Sequence, residues 1–182
     1  LVVQLEQCVD AAALRTLLAE ERAFLGDDAA QRDAPWLALP IALLRAQIAF
    51  QDGDDARGMQ ALEACAEQAL RDLPRDDVWR TKCVGRLAWE FVVRQDLARA
   101  EVYLKELPPE LATYPRGLVA LRRGDFELAL RAGKALQRSG RTVHGLLLQG
   151  EANERAGRID DARANATELL AAAVEPLDRA IA

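Results

Sequence analysis

A repeated pattern between Gly117 and Leu170 constrains the fold of this chain more than any other feature. In each copy a glycine is followed seven residues later by a second glycine, and five residues after that by an alanine. The positions are Gly117, Gly124 and Ala129 in the first copy and Gly150, Gly157 and Ala162 in the second, each shifted by 33 residues. The segments between them are amphipathic, so each copy predicts a helix, a tight turn and a second helix. Because one such hairpin cannot bury its apolar face alone, the repeat predicts stacked hairpins.

Composition favours helix along all 182 residues. Alanine and leucine dominate, whereas the β-branched residues that suit strands are sparse. No apolar run reaches the roughly 18 residues that would predict a membrane span, and no basic-then-apolar leader opens the chain. We therefore expect an all-α cytoplasmic protein without a membrane partner, folded as a single domain over residues 1–182.

Caps, turns and prolines divide this domain into about four helix pairs, some of them degenerate. We expect N-terminal helices in residues 1–34, a degenerate pair in 35–74, a pair in 76–107, a short pair in 110–139, a pair in 142–173 and the start of a capping helix in 174–182. Asp76 or Asp77 is expected to cap the second of these pairs, and Thr142 the last.

The third pair is expected to depart from the regular spacing. Ala100 and Ala129 occupy equivalent positions but lie only 29 residues apart. That spacing is about five residues less than a 34-residue period. The helix that contains Pro115 is therefore expected to be short or to begin late, because an interior proline also disfavours a long helix.

These residues resemble tetratricopeptide repeats, in which each repeat of about 34 residues is a pair of antiparallel helices. That family has small residues where two helices cross closely. The pairs that occupy those positions here are Ala88 with Ala100, Gly117 with Ala129, and Gly150 with Ala162. The resemblance covers Asp77 to Ala173 and is looser over Ile41 to Leu73. It implies a right-handed α-solenoid but specifies no function.

Three positions depart from the pattern of that family. Asn153 and Ala120 stand where it has a large aromatic residue, and Gly133 stands where a large apolar residue is common. Ankyrin repeats have a similar period and are the nearest alternative. The segment GRTVHGLL from Gly140 is similar to their Gly-x-Thr-Pro-Leu-His string, but it is one residue short and lacks the proline.

The residues that catalysis usually needs are scarce. His144 is the only histidine and Ser139 the only serine, so the common pairs of nucleophile and base can hardly form. Cys83 and His144 could pair only from helix pairs two apart. The cysteines, which include Cys8 and Cys65, have neither the spacing of a metal site nor an even number. We expect packed thiols in a reducing compartment and no enzymatic activity, cofactor or metal.

In tetratricopeptide stacks the first helix of each pair lines a concave groove, and the resemblance implies which residues line it here. They are Gln47, Gln51, Trp89, Val93, Leu118, Arg122, Leu147, Glu151 and Arg155, with His144 near the rim. The family's carboxylate clamp of lysine, asparagine and arginine is not matched. Such a groove would suit an apolar peptide or an amphipathic helix, with Trp89 as its anchor and Arg122 beside it. Alternatively, Trp89 and Leu118 are covered by the chain's own terminal helices.

The segment from Arg116 to Arg141 is basic although the whole chain has a net charge of −5. It holds seven basic and two acidic residues, which gives a local net charge of +5. Either a solvated helical face or a patch for an acidic partner would account for it. Nucleic acid is not expected as a partner, because the chain is acidic and has no recognised reader motif.

Two functional hypotheses follow. In the first, the chain is a protein-binding adaptor, scaffold or chaperone that holds a peptide or helix of another protein in its groove. In the second, it is a sensor or regulatory segment of a larger signalling protein, such as a helical-repeat transcription regulator or NTPase. The second would account for a sequence that begins at Leu1 rather than at methionine.

Overall fold

The computed structural model describes residues 38–181, and side chains for residues 38–172. Its described part consists of eight helices and no strand, which confirms the all-α class for these residues. The helices are α1 (Ala38–Gln51), α2 (Asp55–Asp72), α3 (Val78–Val93), α4 (Leu97–Leu104), α5 (Pro109–Arg122), α6 (Phe126–Arg138), α7 (Thr142–Arg155) and α8 (Ile159–Ile181). Among them, no helix has the length and apolarity that a bilayer span requires. The helices expected in residues 1–34, and Cys8, lie outside the described residues.

The chain forms two compact units, and the division between them falls between Cys83 and Val84, inside α3. In the first unit, α1 packs against α2. In the second, α5 packs against α6, α6 against α7, and α7 against both α5 and α8. The core of the second unit includes Leu121, Leu136 and Leu148, all at most 1% exposed. Helices α5, α6 and α7 therefore share one apolar interior.

The turn inside each helix pair uses the same device. Its last residue but one has a positive φ, at Gly53, Gln95, Gly124 and Gly157. In the first three turns an aspartate follows, and its carboxylate accepts a hydrogen bond from the backbone N–H three residues later. This bond satisfies one of the N–H groups that a helix leaves unpaired at its start. The turns lie where the sequence predicts them.

Two predicted helix starts are wrong. α5 is neither short nor late, since it begins at Pro109 and runs for 14 residues with Pro115 inside it. The spacing between Ala100 and Ala129 is five residues short because α4 is short: it has 8 residues, whereas the equivalent helix α6 has 13. Thr142 is the first residue of α7 rather than its N-cap, a position that Arg141 occupies without a side-chain hydrogen bond. Asp77 does cap α3, because its carboxylate accepts from the backbone N–H groups of Trp79 and Arg80 at 2.7 and 3.2 Å.

The backbones of α6 and α7 approach each other closely at Gly133 and Gly145. A Cβ atom at Gly145 would lie 2.6 Å from the carbonyl oxygen of Gly133, and one at Gly133 would lie 2.9 Å from that of Gly145. These distances are too short for a carbon atom against a backbone. Gly133, which departs from the tetratricopeptide pattern, is therefore explained by a crossing that admits no side chain.

The small residues expected at close crossings behave differently from one another. Gly117 is buried and has no room for a side chain, because a Cβ there would overlap Leu148 and lie 3.0 Å from the Cβ of Ala132. Gly150 does have room, since a Cβ there would meet only the Cβ of Asn165, at 3.7 Å. The close crossing predicted at Gly150 and Ala162 is therefore wrong, and Ala162 itself is only half-buried.

We predict that Gly145→Ala is less stable than Gly150→Ala by about 1 to 3 kcal/mol, because forcing a methyl group against a backbone typically costs that much. Both changes replace a helical glycine of α7 by alanine, so the gain in helix propensity cancels in the comparison. Chemical denaturation of the two variants measures the difference. Equal stabilities would show that α6 and α7 can separate at Gly145 without cost.

We also predict that Gln95→Gly raises the free energy of unfolding by about 1 kcal/mol, because a left-handed backbone penalises any residue with a side chain. Gln95 has a φ of 61°, whereas the equivalent residue of the next pair, Gly124, has a φ of 79°. The reciprocal variant Gly124→Gln should lose a similar amount, since the space around Gly124 is open and only its backbone resists a side chain. Thermal melts that rank both variants in the opposite order would contradict this.

Candidate functional site

Three rings on successive first helices form a continuous row in the second unit. Trp89 of α3 stacks on Tyr114 of α5, with ring centroids 6.1 Å apart and an angle of 18° between the planes. Tyr114 meets His144 of α7 edge to face, at 5.0 Å and 81°. Both arrangements are favourable for aromatic rings. In stacked pairs the two faces are offset, and in edge-to-face pairs the edge of one ring points at the electron-rich face of the other. We call Trp89, Tyr114 and His144 the aromatic row.

Helical spacing explains why the same faces also carry the predicted groove residues. Residues three and four apart lie on one side of a helix. On α5 that side carries Tyr114, Leu118 and Arg122, and on α7 it carries His144, Leu147, Glu151 and Arg155. On α3, Val93 lies one turn beyond Trp89. We call these sides of α3, α5 and α7 the first-helix face.

A cleft of about 360 Å³ opens beside the aromatic row, between α7 and α8. The cleft is lined by Tyr114 of α5, by Leu147 and Glu151 of α7, and by Leu169 of α8, among others. Gly150 also lines this cleft, which agrees with the free space that surrounds its Cα atom. The structure therefore brings two of the predicted groove residues, Leu147 and Glu151, together with one ring of the aromatic row.

The charges around the cleft are partly paired. Glu151 accepts a hydrogen bond from the guanidinium of Arg155 at 2.6 Å, one turn further along α7. Burial raises the pKa of Tyr114 above its usual value, and the negative charge of Glu151 raises it further. Tyr114 therefore stays a neutral phenol, which can offer a hydrogen bond to a bound group as well as an apolar ring.

The predicted groove residues differ in how available they are to a partner. Val93 and Leu147 are 56% and 46% exposed, so their apolar side chains are accessible to a partner. Arg122 is exposed at the last turn of α5. Leu118 is half-buried and packs against the core of the second unit, so it supports the face more than it offers contact. Trp89 is half-buried and has Tyr114 as its ring partner.

Gln47 and Gln51 lie on α1 in the first unit, and both side chains are exposed. They share one side of that helix, four residues apart. Their place among the groove residues stays a prediction.

Sequence reasoning missed Tyr114 and undervalued His144. The signal for Tyr114 was available, since it precedes Leu118 by four residues and so shares its side of α5. The contacts themselves could not be read from the repeat, because Trp89 and Tyr114 are 25 residues apart and Tyr114 and His144 are 30 apart. Neither spacing equals the 33-residue shift of the pattern. Trp89 is equivalent to Leu118 in the next pair, but it contacts Tyr114, one turn earlier. Tyr114 is equivalent to Leu147, but it contacts His144, again about one turn earlier.

The basic segment is divided between paired and exposed residues. Arg123 makes two hydrogen bonds to the carboxylate of Glu101 on α4, at 2.6 and 2.9 Å, and Arg116 donates to the carbonyl of Leu104 at 2.9 Å. Both line a second cleft, of about 530 Å³, between α4, α5 and α6. The three basic residues of α6 are Arg131, Lys134 and Arg138. All three are exposed and lie on one side of the helix.

Within the part of the chain that the structure describes, no three histidine, cysteine or acidic side chains lie together as metal ligands would. No protein-family model, curated protein or solved structure matches this chain. The aromatic row and its surroundings are therefore interpreted from their own geometry.

We predict that Tyr114 ionises above the usual tyrosine pKa of about 10, and that Glu151→Gln lowers its pKa. The stabilisation from neutral Tyr114 is complete below the unfolded pKa and is lost as the pH rises through the folded one. Ultraviolet titration of Tyr103→Phe, which leaves Tyr114 as the only tyrosine, measures this directly. Glu168→Gln on α8 is the control. An unchanged midpoint in Glu151→Gln would show that the two groups do not interact.

Proposed function

We propose that this chain is a protein-binding module whose first-helix face holds an apolar peptide or an amphipathic helix of a partner. The aromatic row is the single observation that carries this proposal. Aromatic side chains provide large, rigid contact areas and dominate the energies of protein interfaces. Here three of them line up across three helices, so one extended ligand could contact all of them in turn.

The apolar residues around the row support a ligand of this kind. Leu111, on the same side of α5 as Tyr114, is 43% exposed, and Val93 and Leu147 are more exposed still. A helix that binds in a groove uses anchors three or four residues apart, and such anchors need several small apolar sites in sequence. The cleft beside Leu147 offers one site of suitable size for a leucine or phenylalanine side chain.

Charged groups at the edges of the face would orient the ligand. Arg122 is exposed at the end of α5 and could pair with an acidic residue of the partner. The ion pair of Glu151 and Arg155 lies at the corresponding end of α7 and presents both signs of charge. Charges at the rim of an interface act mainly on the rate of association and on the choice of partner.

The proposal includes a tetratricopeptide-like, right-handed α-solenoid as the scaffold. The contact of α7 with the preceding first helix, α5, as well as with its own partner, α8, supports stacked hairpins in the second unit. The recurrence of the positive-φ turn before each second helix supports them too. In such stacks the first helices share one face, and the presence of all three rings of the aromatic row on first helices supports this arrangement.

We predict that Trp89→Ala weakens binding by about 30-fold or more, since truncating a central aromatic anchor costs roughly 2 kcal/mol or more. The ligands are helical peptides selected from a displayed library against the intact chain, and calorimetry measures their affinity. Trp89→Phe should retain much of the affinity, because it keeps a ring against Tyr114. Val102→Ala is the matched control, because Val102 is 59% exposed on the second helix α4.

A photo-crosslinking amino acid at Leu147 should capture the selected peptide, whereas one at Val102 should not. Circular dichroism melts of all variants separate a loss of contact from a loss of fold. Full affinity in Trp89→Ala, or peptide captured equally at Val102 and Leu147, would rule out binding at the first-helix face.

A further inference from the structure

Two thiols meet inside the first unit. The sulfur atoms of Cys65 on α2 and Cys83 on α3 lie 2.9 Å apart. Both residues are free cysteines, and they are 1% and 0% exposed. They are separated by 18 residues in the sequence, so only the return of the chain after α2 brings them together. A packed thiol needs no such partner, and the proximity of the two sulfurs is the feature to explain.

The connection between α2 and α3 holds this distance in place. Arg80 of α3 donates hydrogen bonds to the carbonyl groups of Leu73 and Leu70, at 3.0 and 3.4 Å, and so ties the end of α2 to the start of α3. Asp77 fixes the first turn of α3 through its cap. Cys83 follows one turn after Arg80 on the same helix. The hydrogen bonds of Arg80 and Asp77 therefore help to fix the position of Cys83 relative to α2.

We propose that Cys65 and Cys83 are a modification site, at which a peroxide converts the two thiols into an intramolecular disulfide. A disulfide needs two sulfurs that can approach to about 2.05 Å from a fixed backbone geometry. Here the sulfur atoms are 2.9 Å apart, so the remaining movement is less than an ångström. The proposal is independent of the peptide-binding face.

The reaction balances with one peroxide. The Cys65 thiolate attacks one peroxide oxygen, the O–O bond breaks, and one water leaves after protonation, which gives a sulfenic acid. The sulfur of Cys83 then attacks the sulfenic sulfur, the S–O bond breaks, and a second water leaves with the remaining proton. The two sulfurs lose two electrons in all, and the peroxide gains them.

The two thiols have different roles in this sequence. The contact with the sulfur of Cys83 lowers the pKa of Cys65, against the opposing effect of burial, while the same contact and burial raise the pKa of Cys83. The thiolate is the nucleophile in this chemistry, so Cys65 reacts first and Cys83 resolves the sulfenic acid. Because both are buried, the rate is set by brief local opening of the first unit, and low concentrations of urea should accelerate the reaction.

The test uses the full chain with Cys8→Ala, so that Cys65 and Cys83 are its only cysteines. Hydrogen peroxide is added, the protein is denatured, and remaining thiols are alkylated and analysed by mass spectrometry. We expect a loss of about 2 Da, no alkylation, and full reversal by dithiothreitol, as disulfide formation requires. The oxidised chain should melt roughly 5 °C or more above the reduced one, because the crosslink restricts the unfolded chain.

Cys8→Ala/Cys83→Ala is the matched control and should gain oxygen rather than lose hydrogen. Two outcomes would overturn the proposal. One is that both thiols remain open to alkylation after the peroxide has oxidised a free cysteine in a reference peptide. The other is that the product is a disulfide-linked dimer or a sulfinic acid at Cys65 while Cys83 stays reduced.

Discussion

The second unit depends on the contact of α6 with α7 at Gly133 and Gly145. Helices usually keep their backbones apart by the width of their side chains, at axial distances of about 8 to 10 Å. Here each glycine lies against the carbonyl oxygen of the other, so no side chain separates the two backbones. The position of α7 follows from this contact, and with it the positions of His144, Leu147 and Glu151. A larger residue at either glycine would force α6 and α7 to shift relative to each other at this point.

The sequence predicted those parts of the structure that depend on local chemistry. Two of the turns follow from glycine and aspartate in adjacent positions, at Gly53 with Asp54 and at Gly124 with Asp125. Contacts between helices were predicted less well. Whether a small residue marks a crossing depends on which helix lies opposite, and the repeat treats Gly117 and Gly150 alike. The pairing of Cys65 with Cys83 depends in the same way on where two helices return past each other.

The last described turn departs from the device that the other three share, and the departure has a structural role. Arg158 stands where the other turns have a capping aspartate. Its guanidinium bonds the carboxylate of Glu127 at 2.8 Å and the side-chain carbonyl of Asn153 at 2.9 Å. Asn153 in turn donates to Asn165 of α8, also at 2.9 Å. The residue that departs from the aromatic preference of the tetratricopeptide family thus joins α7 to α8 through a buried amide, which a phenyl ring could not do.

The cleft beside the aromatic row follows from the same repeat. Gly117 admits no side chain because Leu148, on the next first helix, occupies the space above it. Gly150 is the equivalent residue one pair later, and within the described residues no further first helix follows α7, since α8 continues without a break to Ile181. Gly150 meets no such neighbour among the described residues, and the cleft beside it is lined by Tyr114, Leu147 and Glu151. Under the proposed function, this cleft is the place where an apolar side chain of a partner's helix would be accepted, and it connects the repeat with binding.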